Sequence, residues 1–156
     1  MKPLFVVTVL CLVPATLWAV DADKATYTGG TLTGIQAKSE GAFSTDSPTA
    51  ASFTVKKSPP LTIPYARITA LEYGQKAGRR VAVAGFISPL ALFSKKRNHY
   101  LTITFTDDAG TEQAAVFELG KDIVRTTLKV LEVRSKRAVE YQDDEARKSV
   151  GGGQTP

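Results

Sequence analysis

The sequence predicts a mainly β fold: an antiparallel barrel or sandwich of about seven strands with one C-terminal α-helix. Three observations carry that expectation. Apolar and polar residues alternate with period two in several runs between Tyr27 and Leu119. Turn-forming residues such as Pro59-Pro60 and Asp107-Asp108-Ala109-Gly110 separate those runs. The period changes to a helical one only once, between Lys121 and Ser135. Strands without crossover helices cannot pair in parallel, so the sheet is expected to be antiparallel and to cover one face by curling or by packing on the helix.

The first segment has the order of a secretory signal peptide: basic Lys2, an apolar run from Leu4 to Val13, Pro14, then small residues. Residues 1 to 19 are assigned to it, with cleavage as late as residue 22. Cys11 does not make a lipobox, because Thr8 and Leu10 stand where a large aliphatic and a small residue are required. Removing the segment takes away the single Cys, Met and Trp and lowers the formal charge from +5 to +4 through loss of Lys2. The expected location is therefore exported, periplasmic or extracellular. About 135 residues remain, enough for one core. No later apolar run reaches the ~18 residues of a membrane helix.

Within residues 25 to 142, the expected domain, "ATYTGGTLTGI" reads as a strand with a bulge or bend at Gly29-Gly30. "GGTLTG" lacks the Gly-Lys-Ser/Thr of a phosphate loop. Residues 36 to 50 read as a loop with a short strand from Ala42 to Ser44. "ASFTVKK" alternates Phe53 and Val55 against Ser52 and Thr54, and Pro59-Pro60 ends it. Leu61 and Ile63 alternate before Pro64, and a further strand runs from Arg67 to Tyr73. Leu101, Ile103 and Phe105 answer Ala115, Phe117 and Leu119 across a turn at Asp107 to Gly110, which predicts a hairpin with Gly110 at positive φ. Val124, Leu128 and Leu131 form a helical stripe over 121 to 135, with Asp122 at its start and Arg134 at its end. "AVEYQ" (138 to 142) reads as a short closing strand. The charged, glycine-rich stretch 143 to 156 is expected to be a disordered tail.

From "IPYARITALEYG" through "LFSKKRNHYLTITFTDDAGTEQAAVFELGKDIVRTTLKVLEVRSKRAVEY", the text resembles a family of small exported bacterial proteins with a pleckstrin-homology-like or GRAM-like fold. The resemblance covers Leu61 to Tyr141 and, more loosely, Tyr27 to Val55. It implies two near-orthogonal antiparallel sheets with one end plugged by a C-terminal helix, and it implies no catalytic residues. Members that bind lipid headgroups carry clustered Lys and Arg in the first loop. Here "GIQAKSEGAF" offers only Lys38, so phosphoinositide recognition is not implied.

Chemical signatures are sparse. His99 is the single histidine, and no carboxylates stand at metal-ligand spacing around it. Asp107, Asp108 and Glu112 flank a turn too short for a calcium loop. No nucleophile sits in a recognisable motif with a base, so an enzyme, a cofactor and a metal are not expected. Basic residues are scattered with few aromatics between them, which argues against nucleic acid.

One stretch stands out. "RRVAVAGFISPLALFSKKR" (79 to 97) places uncharged, mostly apolar residues between two basic clusters. Its first part reads as a strand ending near Gly85. Beyond it, Phe86, Ile87, Leu90, Leu92 and Phe93 lead to Lys95, Lys96 and Arg97, where a polar connection is usual. Three readings stand open. The segment folds over an open end of the barrel and joins the core. Or its tip enters a lipid interface, each basic residue adding ~1 kcal/mol against anionic headgroups. Or it is an interface for another protein or a second copy of the chain. The expected role is a non-catalytic binding or scaffold module at the bacterial cell envelope, contacting a membrane surface or protein partner through this segment. The alternative is a carrier of a small apolar ligand in the barrel mouth.

Overall fold

The computed structural model describes residues 23 to 75 and 98 to 151. Among them, β1 (Lys24–Gly30), β2 (Ser39–Ser44), β3 (Ala50–Val55), β4 (Leu61–Pro64), β5 (Ile68–Gly74), β6 (His99–Thr106), β7 (Glu112–Leu119) and β8 (Val139–Tyr141) form one sheet. Their order is β4-β3-β2-β1-β7-β6-β5-β8. Helix α1 (Val124–Ser135) follows β7, and a shorter helix α2 (Asp144–Ser149) follows β8. The fold is the expected mainly β, barrel-like one, a curled sheet closed as a half-barrel.

The curl follows from one short link. A single 3-10 turn, Tyr65–Arg67, joins β4 to β5. Four residue steps from Pro64 to Ile68 reach at most about 14 Å. In a flat sheet the same two strands would stand six spacings apart, or about 29 Å. The sheet must bend until its ends approach, and the bend makes a concave face.

That face is the core. Phe117 of β7 lies at its centre, with ring centroids of Phe43, Phe53 and Tyr27 at 5.0, 5.1 and 5.8 Å. These rings come from four strands, so one side chain ties together β1, β2, β3 and β7. Leu101, Ile103 and Leu71 continue the layer. Helix α1 covers it with Val124, Thr127, Leu128, Leu131 and Ser135, all buried at helical spacing. Arg134 anchors the helix to the β2–β3 loop. It donates to the carbonyls of Thr45 and Ser47 and to the Tyr65 hydroxyl, the last two at 2.7 and 3.2 Å. Its guanidinium also lies 5.5 Å from the centre of the Tyr65 ring.

Two glycine positions are dictated by geometry. The β1–β7 register shifts between Tyr27 and Gly29, which is the bulge expected there. A Cβ on Gly30 would stand 2.1 Å from the Ala114 carbonyl oxygen, so only glycine permits that close approach. Gly110 has φ +82° in the β6–β7 turn, as expected.

Several expectations need correction. One eight-stranded sheet stands where the resemblance implies two sheets of about seven strands. It is mixed, because β8 pairs with β5 in parallel; α1 returns the chain and supplies the crossover that the strands alone lack. Strand β2 starts at Ser39, earlier than the expected Ala42. Helix α1 begins at Val124, leaving Asp122 outside its first turn. On β6 and β7 the outward-facing Tyr100, Thr102 and Val116 are buried as well, so simple alternation fails at the sheet centre. Stretch 143 to 151, expected to be disordered, folds. Asp143 caps α2 by accepting from the Ala146 amide at 2.7 Å, and Ala146 and Val150 join the core. The predicted signal segment, the strand from Val81 to Gly85 and all of 86 to 97 lie outside the described residues.

Truncation of Phe117 to Ala should cost about 3–5 kcal/mol in urea unfolding, since it empties the centre of the aromatic layer. Val133→Ala, at an exposed position on α1, should change stability by less than about 0.5 kcal/mol.

Candidate functional site

Curling leaves a mouth at the end of the half-barrel, where three connections meet. The β1–β2 loop, the β3–β4 loop and the β6–β7 hairpin line a cleft of about 590 Å³ together with Arg67. Phe105, buried at the end of β6, lines its apolar part. Leu32, Ile35 and Leu61 are half-buried there and pack against the core. Pro59 and Pro60, the residues that end β3 in the sequence reading, form part of its exposed wall.

The polar rim is rigidly wired. Thr31 donates its amide to the Ala114 carbonyl at 2.9 Å, and its hydroxyl accepts from the Ala114 amide at 2.9 Å. The same hydroxyl donates to the Gln113 side-chain oxygen. Gln113 in turn donates to Asp107 Oδ2 at 2.8 Å. Asp107 Oδ1 accepts from the amides of Ala109 and Thr111 at 2.9 and 2.8 Å. These donors, Gln113 first, hold the Asp107 carboxyl below its ordinary pKa. Asp108 pairs with Arg67 across the mouth. The two aspartates thus serve the turn and the rim, and Glu112 opens β7 as an exposed residue.

Below this rim, the Tyr27 hydroxyl is buried with no well-formed hydrogen bond. Burial pushes its pKa up, and the facing Leu32 main chain partly offsets that.

His99 lies away from the mouth on the concave face, and sequence reasoning did not foresee its partners. Its Nδ1 is 2.6 Å from the Tyr73 hydroxyl, which is 3.0 Å from Ser149 Oγ. Ser149 donates to the Ala146 carbonyl at 2.7 Å. A carbonyl only accepts, so the polarity of the whole chain is fixed. Ser149 gives its proton to Ala146, Tyr73 gives its proton to Ser149, and His99 Nδ1–H donates to Tyr73. Neutral His99 therefore carries its lone pair on Nε2. Among the described residues the chain ends on a carbonyl, where a catalytic triad orients its imidazole with a carboxylate. It joins α2 to β5 and β6 and fixes the last described helix on the sheet.

The structure thus brings together residues the sequence left separate, while Phe86, Ile87, Leu90, Leu92, Phe93, Lys95, Lys96 and Arg97 lie outside the described residues. Among the described residues, no three His, Cys, Asp or Glu side chains converge as a metal site. No helix among them is long and apolar enough to cross a membrane. In comparisons with known proteins, the chain matches no family model and no curated sequence.

Burial holds the His99 pKa below its ordinary value. The unfolded chain then binds the proton more readily than the folded one. Stability from this group is complete above about pH 6.5 and falls as pH drops through that value towards the folded pKa. The urea midpoint should therefore decrease from about pH 7.5 to about pH 5.5, and His99→Gln should flatten that interval. Asp107, with its lowered pKa, acts only in the carboxylate range below this window. Tyr73→Phe breaks both links of the chain and should cost about 1–3 kcal/mol, with earlier proteolysis at 143 to 151.

Proposed function

We propose that this protein is a non-catalytic binding module that takes an apolar ligand in the mouth cleft. The carrying observation is the open cleft of about 590 Å³, where Leu32, Ile35 and Leu61 stand half-buried beside Phe105 inside a fixed polar rim. Sites of this kind use apolar side chains for affinity and a few placed polar groups for orientation. A second concavity, of about 630 Å³, is lined by the charged residues Asp23, Lys24, Glu40 and Glu118, with Leu119 the one large apolar side chain among its described lining residues. The pleckstrin-homology-like reading is supported by a curled sheet followed by a helix after β7. Action outside the cytoplasm is supported by the pattern of the first residues.

The neutral dye N-phenylnaphthylamine is a direct test. It should bind with enhanced fluorescence, and Ile35→Ser and Leu61→Ser should each weaken binding about tenfold or more, as loss of a large apolar side chain requires. Equal binding by wild type and both variants would remove the cleft as the site.

The segment from Phe86 to Arg97 supports a second contact, with an anionic membrane surface or a protein partner, through its composition of large apolar residues beside three basic ones. Serine at Phe86, Ile87, Leu90 and Phe93 together should reduce co-sedimentation with anionic vesicles. Unchanged co-sedimentation would exclude the membrane, and unchanged gel-filtration size would count against self-association through this segment.

A further inference from the structure

Among the described residues, one wall of the mouth cleft is an unpaired strand edge. Among the described residues β4 pairs only with β3, and Leu61, Thr62 and Pro64 of β4 all line the cleft. Hydrogen-bond alternation decides which main-chain groups face it. The Tyr65 amide donates to the Thr49 carbonyl at 3.0 Å, just beyond the Ala50↔Pro64 end of the β3–β4 register. Ile63 and Leu61 therefore direct their main-chain groups to β3, as Tyr65 does with its amide, and the residues between them direct theirs away. Thr62 presents both an amide and a carbonyl to the open side. Pro64 presents a carbonyl alone, because proline has no N–H.

We propose that the occupant of this cleft is an extended peptide segment of a partner protein, added as a further strand along β4. This rests on the mouth cleft being a binding site, and it names the ligand class. A free amide and carbonyl on one residue are what an added strand exchanges bonds with. Side chains of such a strand alternate, so every second one turns inward beside Leu61 and Phe105, on the face where Leu61 and Ile63 already point. Small apolar or β-branched residues fit those positions.

Charge narrows the class further. The charged side chains among the described lining residues are Arg67, Asp107 and Asp108, one cation against two carboxylates. Arg67 is taken by Asp108. Asp107 remains ionised across the neutral range, since its hydrogen bonds lower its pKa. Among the described residues the mouth is therefore locally acidic, on a chain whose formal net charge is +5. A peptide with a basic residue flanking its apolar positions complements it. Pro64 and the Pro59-Pro60 pair limit the strand to a few residues, so the interaction is short and specific instead of a continuous edge pairing.

The probe is an end-blocked peptide, Lys-Val-Thr-Val-Thr-Val-Lys, offered to the full chain and followed by calorimetry and amide hydrogen exchange. Binding should slow exchange of the Thr62 amide in the wild-type protein. Thr62→Pro, which deletes the outward-facing N–H and fixes φ near the extended value, should weaken binding about tenfold, while Thr62→Val, which alters the side chain and keeps the N–H, should bind as wild type does. Raised salt should weaken the peptide but not N-phenylnaphthylamine. Dye binding with no protection of Thr62 would overturn the strand proposal and leave the apolar cleft standing. Loss of both would remove the cleft itself. If Thr62→Pro does not fold, the exchange measurement on wild type decides alone. Concentration-dependent dimerisation that protects Thr62 without peptide would also overturn the proposal, by making a second copy the occupant.

Discussion

A three-residue link governs this molecule. Because Tyr65–Arg67 must connect the edge strand β4 to β5, the sheet cannot lie flat. Its concave side becomes the core, and its two ends acquire different fates. At one end α1 covers the sheet, pinned through Arg134 to the β2–β3 loop and to Tyr65 within the link itself. At the other end, among the described residues, three loops leave an apolar cleft. Core, lid and mouth are thus consequences of a single closure constraint, which the aromatic layer around Phe117 then stabilises.

Much of this was legible from residue order. The β6–β7 hairpin, the Gly110 turn and the helical stripe on α1 each rest on local periodicity, which a sequence displays directly. The bulge near Gly29 was also readable, although not its reason, the approach of Ala114 in a strand far along the chain. Other features needed signals too short to register. β8 contributes only Val139 to Tyr141, and nothing in three residues says that its partner is β5 or that the pairing is parallel. Helix α2 was hidden by its charge. Yet "DDEARKS" carries a capping Asp143, acids in the first turn and bases in the last. Ala146 and Val150 stand four apart on its buried side. Composition suggested disorder where capping and dipole signals favoured a helix.

The candidate site was legible only in parts. Its residues come from loops separated by dozens of positions, and each part had an ordinary local explanation: Pro59-Pro60 as a strand terminator, Asp107 as a turn former. What local reading cannot supply is their convergence, which depends on the curl. The same holds for the His99–Tyr73–Ser149 chain, whose members lie 26 and 76 positions apart. A lone histidine carries no motif in the sequence, and its setting is visible only once two strands and a helix are brought together.

The parallel pairing of β8 has a consequence for how the molecule is made. β8 follows every other strand of the sheet, yet it shelters one border of it, the outer side of β5. Until residues 139 to 141 dock, β5 lacks its β8 partner while the strands before it in the chain can already pair. A nascent or clipped chain ending before Val139 would therefore expose a sticky seven-residue ribbon, β5 itself, to its neighbours. The three residues of β8 thus cover a strand edge as well as adding cohesion.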